Sequence, residues 1–137
     1  MAVERRTIRV VAAVIARDGA YLITQRRPKA ALPLMWEFPG GRVEQGESDE
    51  QALRREVDYR LGVKVDTGEM ISFASHPYEH YVVDLYLYEC SIARGRPEAR
   101  NVHAFRWAKS EDFDRYEFTP ADEFSMNQLL GLTGEGT

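Results

Sequence analysis

The residues best able to do chemistry fall between Gly41 and Val63, in GRVEQGESDEQALRREVDYRLGV. Carboxylates at Glu44, Glu47 and Glu56 share this stretch with guanidinium groups at Arg55 and Arg60. Carboxylate oxygens suit Mg²⁺, and a bound Mg²⁺ neutralises phosphate oxygens and activates water. Helix positions i, i+3 and i+4 share a face, so residues 56, 59 and 60 stand together. Beside Glu56 on that face stand Tyr59, neutral at neutral pH, and Arg60, a permanent cation. Asp58 is about 200° round the helix from Glu56 and points elsewhere. Arg60 is expected to pair with Glu56, worth a few tenths of a kcal/mol on an exposed helix. Its forked donors also suit a phosphate.

Other polar residues stand apart. His76, Glu79 and His80 fall at an expected turn between strands, and their spacing invites a zinc reading. No helix is expected there and no third ligand is evident, so a polar turn is the stronger expectation. His103 alternates with apolar residues and is expected in a strand. Cys90 lies among strand residues without a basic neighbour, which argues against a nucleophile. A lone cysteine and the lack of a signal-peptide pattern lead us to expect a reduced, cytoplasmic protein.

The elements that position these residues are legible in outline. Residues 7–17 (TIRVVAAVIAR) read as a buried strand and Asp18-Gly19 as a hairpin turn, with a return strand over 20–26. Ser48 and Gln51 form a capping box. Ala52, Leu53, Val57 and Leu61 then recur at helical spacing, and Gly62 closes the helix. Strands are expected over 63–75, 80–90 and 102–108. Ser110 is expected to cap a short helical turn. A last helix is expected over 120–131, opened by Pro120, with Phe124, Leu129 and Leu130 as core candidates. Trp36 and Trp107 read as packing residues. The order of strands, helix, strands, helix implies an α/β fold, a mixed sheet sandwiched between helices. With 137 residues, one domain over 1–137 is expected, flexible at 1–6 and 132–137. A net charge of −4 argues against a protein that coats nucleic-acid polymers. No run approaches the roughly 20 apolar residues of a membrane span.

The Gly41–Val63 segment resembles the Nudix box, G-x5-E-x7-R-E-U-x-E-E-x-G-U, where U is aliphatic. Gly41, Glu47, Arg55, Glu56, Val57, Gly62 and Val63 match it at fixed spacing. Gln25-Arg26-Arg27, Trp36-Glu37-Phe38-Pro39-Gly40-Gly41 and Thr119-Pro120-Ala121-Asp122 extend the likeness toward the branch that cleaves (d)NTPs, including oxidised dGTP and CTP-type substrates. The resemblance implies a Nudix fold and Mg or Mn as cofactor if the protein is active. It implies Glu56 as the retained metal carboxylate and a Glu47–Arg55 pair supporting the loop. It implies Arg26 at phosphate, Phe38 at one wall of a base pocket or in the core, and Gly41 at the ligand, while Arg60, which departs from the pattern, is expected to meet the ligand in the space of a missing metal. Asp122 reads either as a base-contacting carboxylate or as a first-turn acid favoured by the helix dipole. The sequence departs from the family pattern at Tyr59 and Arg60, and at Asn101, six residues before Trp107, where family members often carry glutamate.

Three functions compete. The first is a binder of a nucleotide or other phosphorylated small molecule, with weak or lost Mg-dependent hydrolysis. The second is a working nucleoside triphosphate diphosphatase with an altered metal site, releasing NMP and pyrophosphate through Glu56 with Glu44 or Glu47. The third is a protein-interaction domain. A homodimer is left open in each case.

Overall fold

The computed structural model describes residues 5–129. Strand β1 (Arg6–Arg17) is the spine of a mixed sheet. It turns at Asp18-Gly19 into β2 (Ala20–Gln25), as expected, and β3 (Trp36–Glu37) and β4 (Gly40–Arg42) follow. Helix α1 spans Asp49–Leu61, and the strands β5 (Lys64–Pro77) and β6 (Tyr81–Arg94) form a long hairpin. Strand β7 (Ala104–Lys109), a 3₁₀ turn (Ser110–Arg115) and helix α2 (Pro120–Leu129) complete the described chain.

β1 runs parallel to β6 from Arg6↔Tyr81 to Ile15↔Cys90. Its other edge is shared: β4 pairs with Val10–Ala12 and β2 with Ala16–Arg17, both antiparallel. Because strand side chains alternate, β1 serves two cores. Val11, Ala13 and Ile15 pack with Leu53, Val57 and Leu61 of α1. Ala12 and Val14 pack on the opposite face with Phe113, Phe118 and Met126. Burial on both faces explains the unbroken apolar run that made β1 conspicuous. Leu53, Val57 and Leu61 are fully buried, each contributing about 1.5–3 kcal/mol.

Local signals placed α1 correctly. The Ser48 hydroxyl accepts from the Gln51 amide, the Gln51 side chain accepts from the Ser48 amide, and Gly62 closes the helix at φ 73°. Asp49, in the first turn, accepts from Arg9 of β1 and Tyr88 of β6, which pins the start of α1 to the sheet.

Several expectations are corrected. β7 begins at Ala104, so His103 is an exposed bend residue outside the strand. Lys109, not Ser110, occupies the cap position of the 3₁₀ turn. Phe124 is 53% exposed, because α2 turns Ala121, Asp122, Ser125 and Met126 inward instead. Arg6, expected in a flexible terminus, opens β1. Leu130, the side chain of Leu129 and the expected flexible segment 132–137 lie outside the described residues.

The pairing of β4 with β1 is close. A Cβ on Gly40 would lie 2.0 Å from the Val11 carbonyl oxygen and 2.6 Å from the Ala12 Cα. Both are backbone atoms and cannot swing away. Gly40→Ala should therefore lower unfolding free energy by about 2–3 kcal/mol, as overpacking does. Urea denaturation measures it, and a loss below about 0.5 kcal/mol would mean that the strand shifts freely.

Candidate functional site

The site forms where the end of β2, β3, β4, the solvent side of α1 and the start of α2 meet. Glu37 is its hub. β3 pairs with β2 at Thr24↔Glu37, which brings Glu37 beside Arg26 at the β2 terminus. Arg26 Nη1 donates to both Glu37 oxygens, at 3.2 and 3.1 Å, and its Nε donates to the Ala31 carbonyl. From the helix, Arg60 Nη1 reaches Glu37 Oε2 at 3.4 Å while its Nε donates to Glu56 Oε1 at 3.1 Å. The expected i, i+4 pair is therefore present, and Arg60 also bridges to a second carboxylate.

The other oxygen of Glu56, Oε2, accepts from Arg55 Nη1 at 2.7 Å. Arg55 holds Glu47 in a fork, Nε to Oε2 at 2.6 Å and Nη2 to Oε1 at 2.9 Å, and also donates to the Arg42 carbonyl. Arg55, with help from the Glu44 amide, holds the Glu47 carboxyl down at about 2. The loop is thus tied to α1 through charge-assisted bonds. Gly41 allows this closeness, since a Cβ there would lie 2.4 Å from the Glu56 carboxyl carbon. Asp58 pairs with Lys64, away from Glu56, as its helical phase requires. Tyr59 is 58% exposed. Its carbonyl accepts from the Asn101 side chain at 2.6 Å, which places position 101 against the end of α1.

Beside this ion-pair chain lies a cavity of about 530 Å³, lined by Arg6, Arg26, Glu37, Arg42, Tyr78 and Asp122 among others. A smaller recess of about 150 Å³ shares Arg26, Glu37, Arg42 and Asp122 with it and adds Gly41 and Arg60. Asp122 is 5% exposed. It accepts from the Phe38 amide at 3.0 Å and pairs with the Thr119 hydroxyl at 2.6 Å. Burial, reinforced by the charge of Glu37, pushes its carboxyl up to about 7. Burial likewise raises the Tyr78 phenol.

The structure thus gathers Arg26, Gly41, Glu47, Arg55, Glu56, Arg60 and Asp122 into one region. Phe38 contributes there through its backbone. Its ring, 2% exposed, packs edge-to-face on Phe113 in the core. His76 packs against Tyr78. Among the described residues, no group of three or more His, Cys, Asp or Glu could hold a metal ion. Burial pushes the Cys90 thiol up to about 11, opposite to what a nucleophile needs. Sequence reasoning missed Glu37 as a site residue. A carboxylate between Trp36 and Phe38, in a segment otherwise apolar, was the available signal.

Among the described residues no helix is long and apolar enough to cross a membrane. Comparison with known proteins places the chain in a family. The NUDIX domain model matches residues 10–128. The CTP pyrophosphohydrolase of Escherichia coli is 34% identical over 127 residues, covering 93% of this chain and 94% of that protein. The 8-oxo-dGTP diphosphatase of Haemophilus influenzae is 28% identical over 131 residues, covering 95% and 96%. The solution structure of the E. coli ORF135 protein superimposes with a TM-score of 0.79 at 31% identity, covering 95% of this chain and 93% of that one. The fold, the matched residues and these relatives together make the chain a member of the Nudix family.

Proposed function

We propose that the chain binds a nucleotide-type ligand in the Arg26–Asp122 cavity and that its Mg- or Mn-dependent hydrolysis is weak or lost. One observation carries the reading: both oxygens of Glu56, the carboxylate retained from the box, are already taken by Arg55 and Arg60. Mg²⁺ needs near-octahedral oxygen ligands and usually one or two free carboxylates. Here Glu47 is spent on Arg55, Tyr59 faces solvent, and Asn101 donates to a backbone carbonyl. The donor set does not fit a divalent cation.

Binding has better support. Arg26 lines the cavity with a permanent positive charge and an unspent Nη2 suited to a phosphate oxygen. Asp122 presents a carboxyl held by Phe38 and Thr119, able to accept from an exocyclic amine or, when protonated, to donate. The relatives named above are a CTP pyrophosphohydrolase and an 8-oxo-dGTP diphosphatase, so a nucleoside triphosphate is the natural ligand class to try. The second reading, a working diphosphatase, draws on Glu37, a further carboxylate 3.4 Å from Arg60.

A panel of (d)NTPs, 8-oxo-dGTP and CTP separates the two. Calorimetry should report binding, and pyrophosphate release in Mg²⁺ or Mn²⁺ should stay near background. Turnover at about 1 s⁻¹ or faster by the unaltered protein overturns the proposal in favour of the enzyme.

A further inference from the structure

The recess beside Arg60 is richer in unspent donors than in acceptors. Among the described residues, Arg60 uses Nε and Nη1, Arg26 uses Nε and Nη1, and neither Nη2 has a partner. The exposed Arg42 guanidinium donates to no described residue. Glu37, the carboxylate between them, already accepts from both Arg26 and Arg60. The other carboxyl in the lining, Asp122, is buried and satisfied by Phe38 and Thr119. Three permanent cations, with Nη2 of Arg26 and of Arg60 unspent, thus face one spent carboxylate and one capped carboxyl across a recess of about 150 Å³. Such a surface attracts an anion and repels a dication.

We propose that Arg60, with Arg26 and Arg42, holds the ligand's phosphates directly, and that the true ligand is a nucleotide whose phosphate chain is free of divalent metal. This rests on the nucleotide-binding reading above. Arg60 is 20% exposed and anchored at both sides by Glu56 and Glu37, so its remaining donors are presented in a set orientation. The unspent Nη2 of Arg60 carries two N–H groups that can donate to phosphate oxygens in charge-assisted bonds. A Mg²⁺ already bound to those oxygens would occupy the same acceptors and carry its charge toward the three arginines. Divalent metal should therefore antagonise binding, the reverse of what a metal-assembled site shows.

Calorimetry with α,β-methylene triphosphate analogues of the nucleosides, and with inorganic tripolyphosphate, tests this at matched ionic strength. The unaltered protein should bind with EDTA present and lose at least about fivefold in affinity when Mg²⁺ exceeds the ligand. Loss of the charge-assisted contact of Arg60 in Arg60→Gln should weaken binding in EDTA by about tenfold or more, with Arg60→Lys intermediate. Thermal melts confirm that the variants are folded. Binding that requires Mg²⁺, or an Arg60→Gln protein that binds like the parent, overturns the inference and leaves the nucleotide-binding reading standing. Absence of binding by every ligand in both conditions overturns both.

Discussion

Replacing Tyr59, Arg60 and Asn101 together by glutamate should raise Mg²⁺-dependent pyrophosphate release from (d)NTPs by about a thousandfold, some 4 kcal/mol of barrier. The geometry for this is in place. Arg60 already bonds Glu56 one helical turn away, so a carboxylate at 60 would face the same side of α1. Position 101 abuts the carbonyl of residue 59, so a glutamate there would reach the same end of the helix. The change at 60 acts twice, removing the cation that occupies Glu56 Oε1 and Glu37 Oε2 and adding an acceptor. Four carboxylates, at 56, 59, 60 and 101, would then gather at the C-terminal end of α1. Without metal they repel, so the triple variant should melt earlier than its parent in EDTA and gain stability in Mg²⁺ through linkage. That gain is a readout independent of turnover. A folded variant that is stabilised by Mg²⁺ yet releases no pyrophosphate would show that something other than the lost carboxylates limits hydrolysis.

What was legible in the sequence was local. The Ser48–Gln51 box, Gly62 and the Asp18-Gly19 turn each act over a few residues and read correctly. The pairing of Arg60 with Glu56 also follows from helical spacing alone. Its second partner, Glu37, stands 23 residues away and reaches Arg60 only because β3 pairs with β2. No periodicity encodes such a meeting. Helix α2 shows the same limit. Its apolar pattern offered Phe124 as a core residue, yet the helix buries Asp122 and Ser125 and exposes Phe124. The Phe38 amide and the Thr119 hydroxyl, which come from outside the helix, make the burial of Asp122 tolerable. The His103 misreading has a related origin, because alternation near a strand end does not mark where hydrogen bonding begins.

Buried Asp122 sets a pH dependence whose sign can be worked out. Its carboxyl sits at about 7 in the folded protein, raised first by burial and then by the charge of Glu37, against about 3.9 when unfolded. The native state therefore holds this proton more tightly than the unfolded chain. Stability from Asp122 is full below about pH 4 and is lost as pH rises through about 7. The difference between about 3.9 and about 7 corresponds to about 4 kcal/mol. Asparagine mimics the protonated form: its Oδ1 can still accept from the Phe38 amide, and its Nδ2 can donate to the Thr119 hydroxyl. Asp122→Asn should match the parent in urea denaturation at about pH 4 and exceed it by up to about 4 kcal/mol at about pH 8.5. Parallel stability curves across that range would show that Asp122 is charged in the fold at neutral pH. The same proton bears on the ligand, since a neutral carboxyl at the cavity wall can donate as well as accept. Base preference should therefore shift between about pH 6 and about pH 8 in the parent and stay constant in Asp122→Asn.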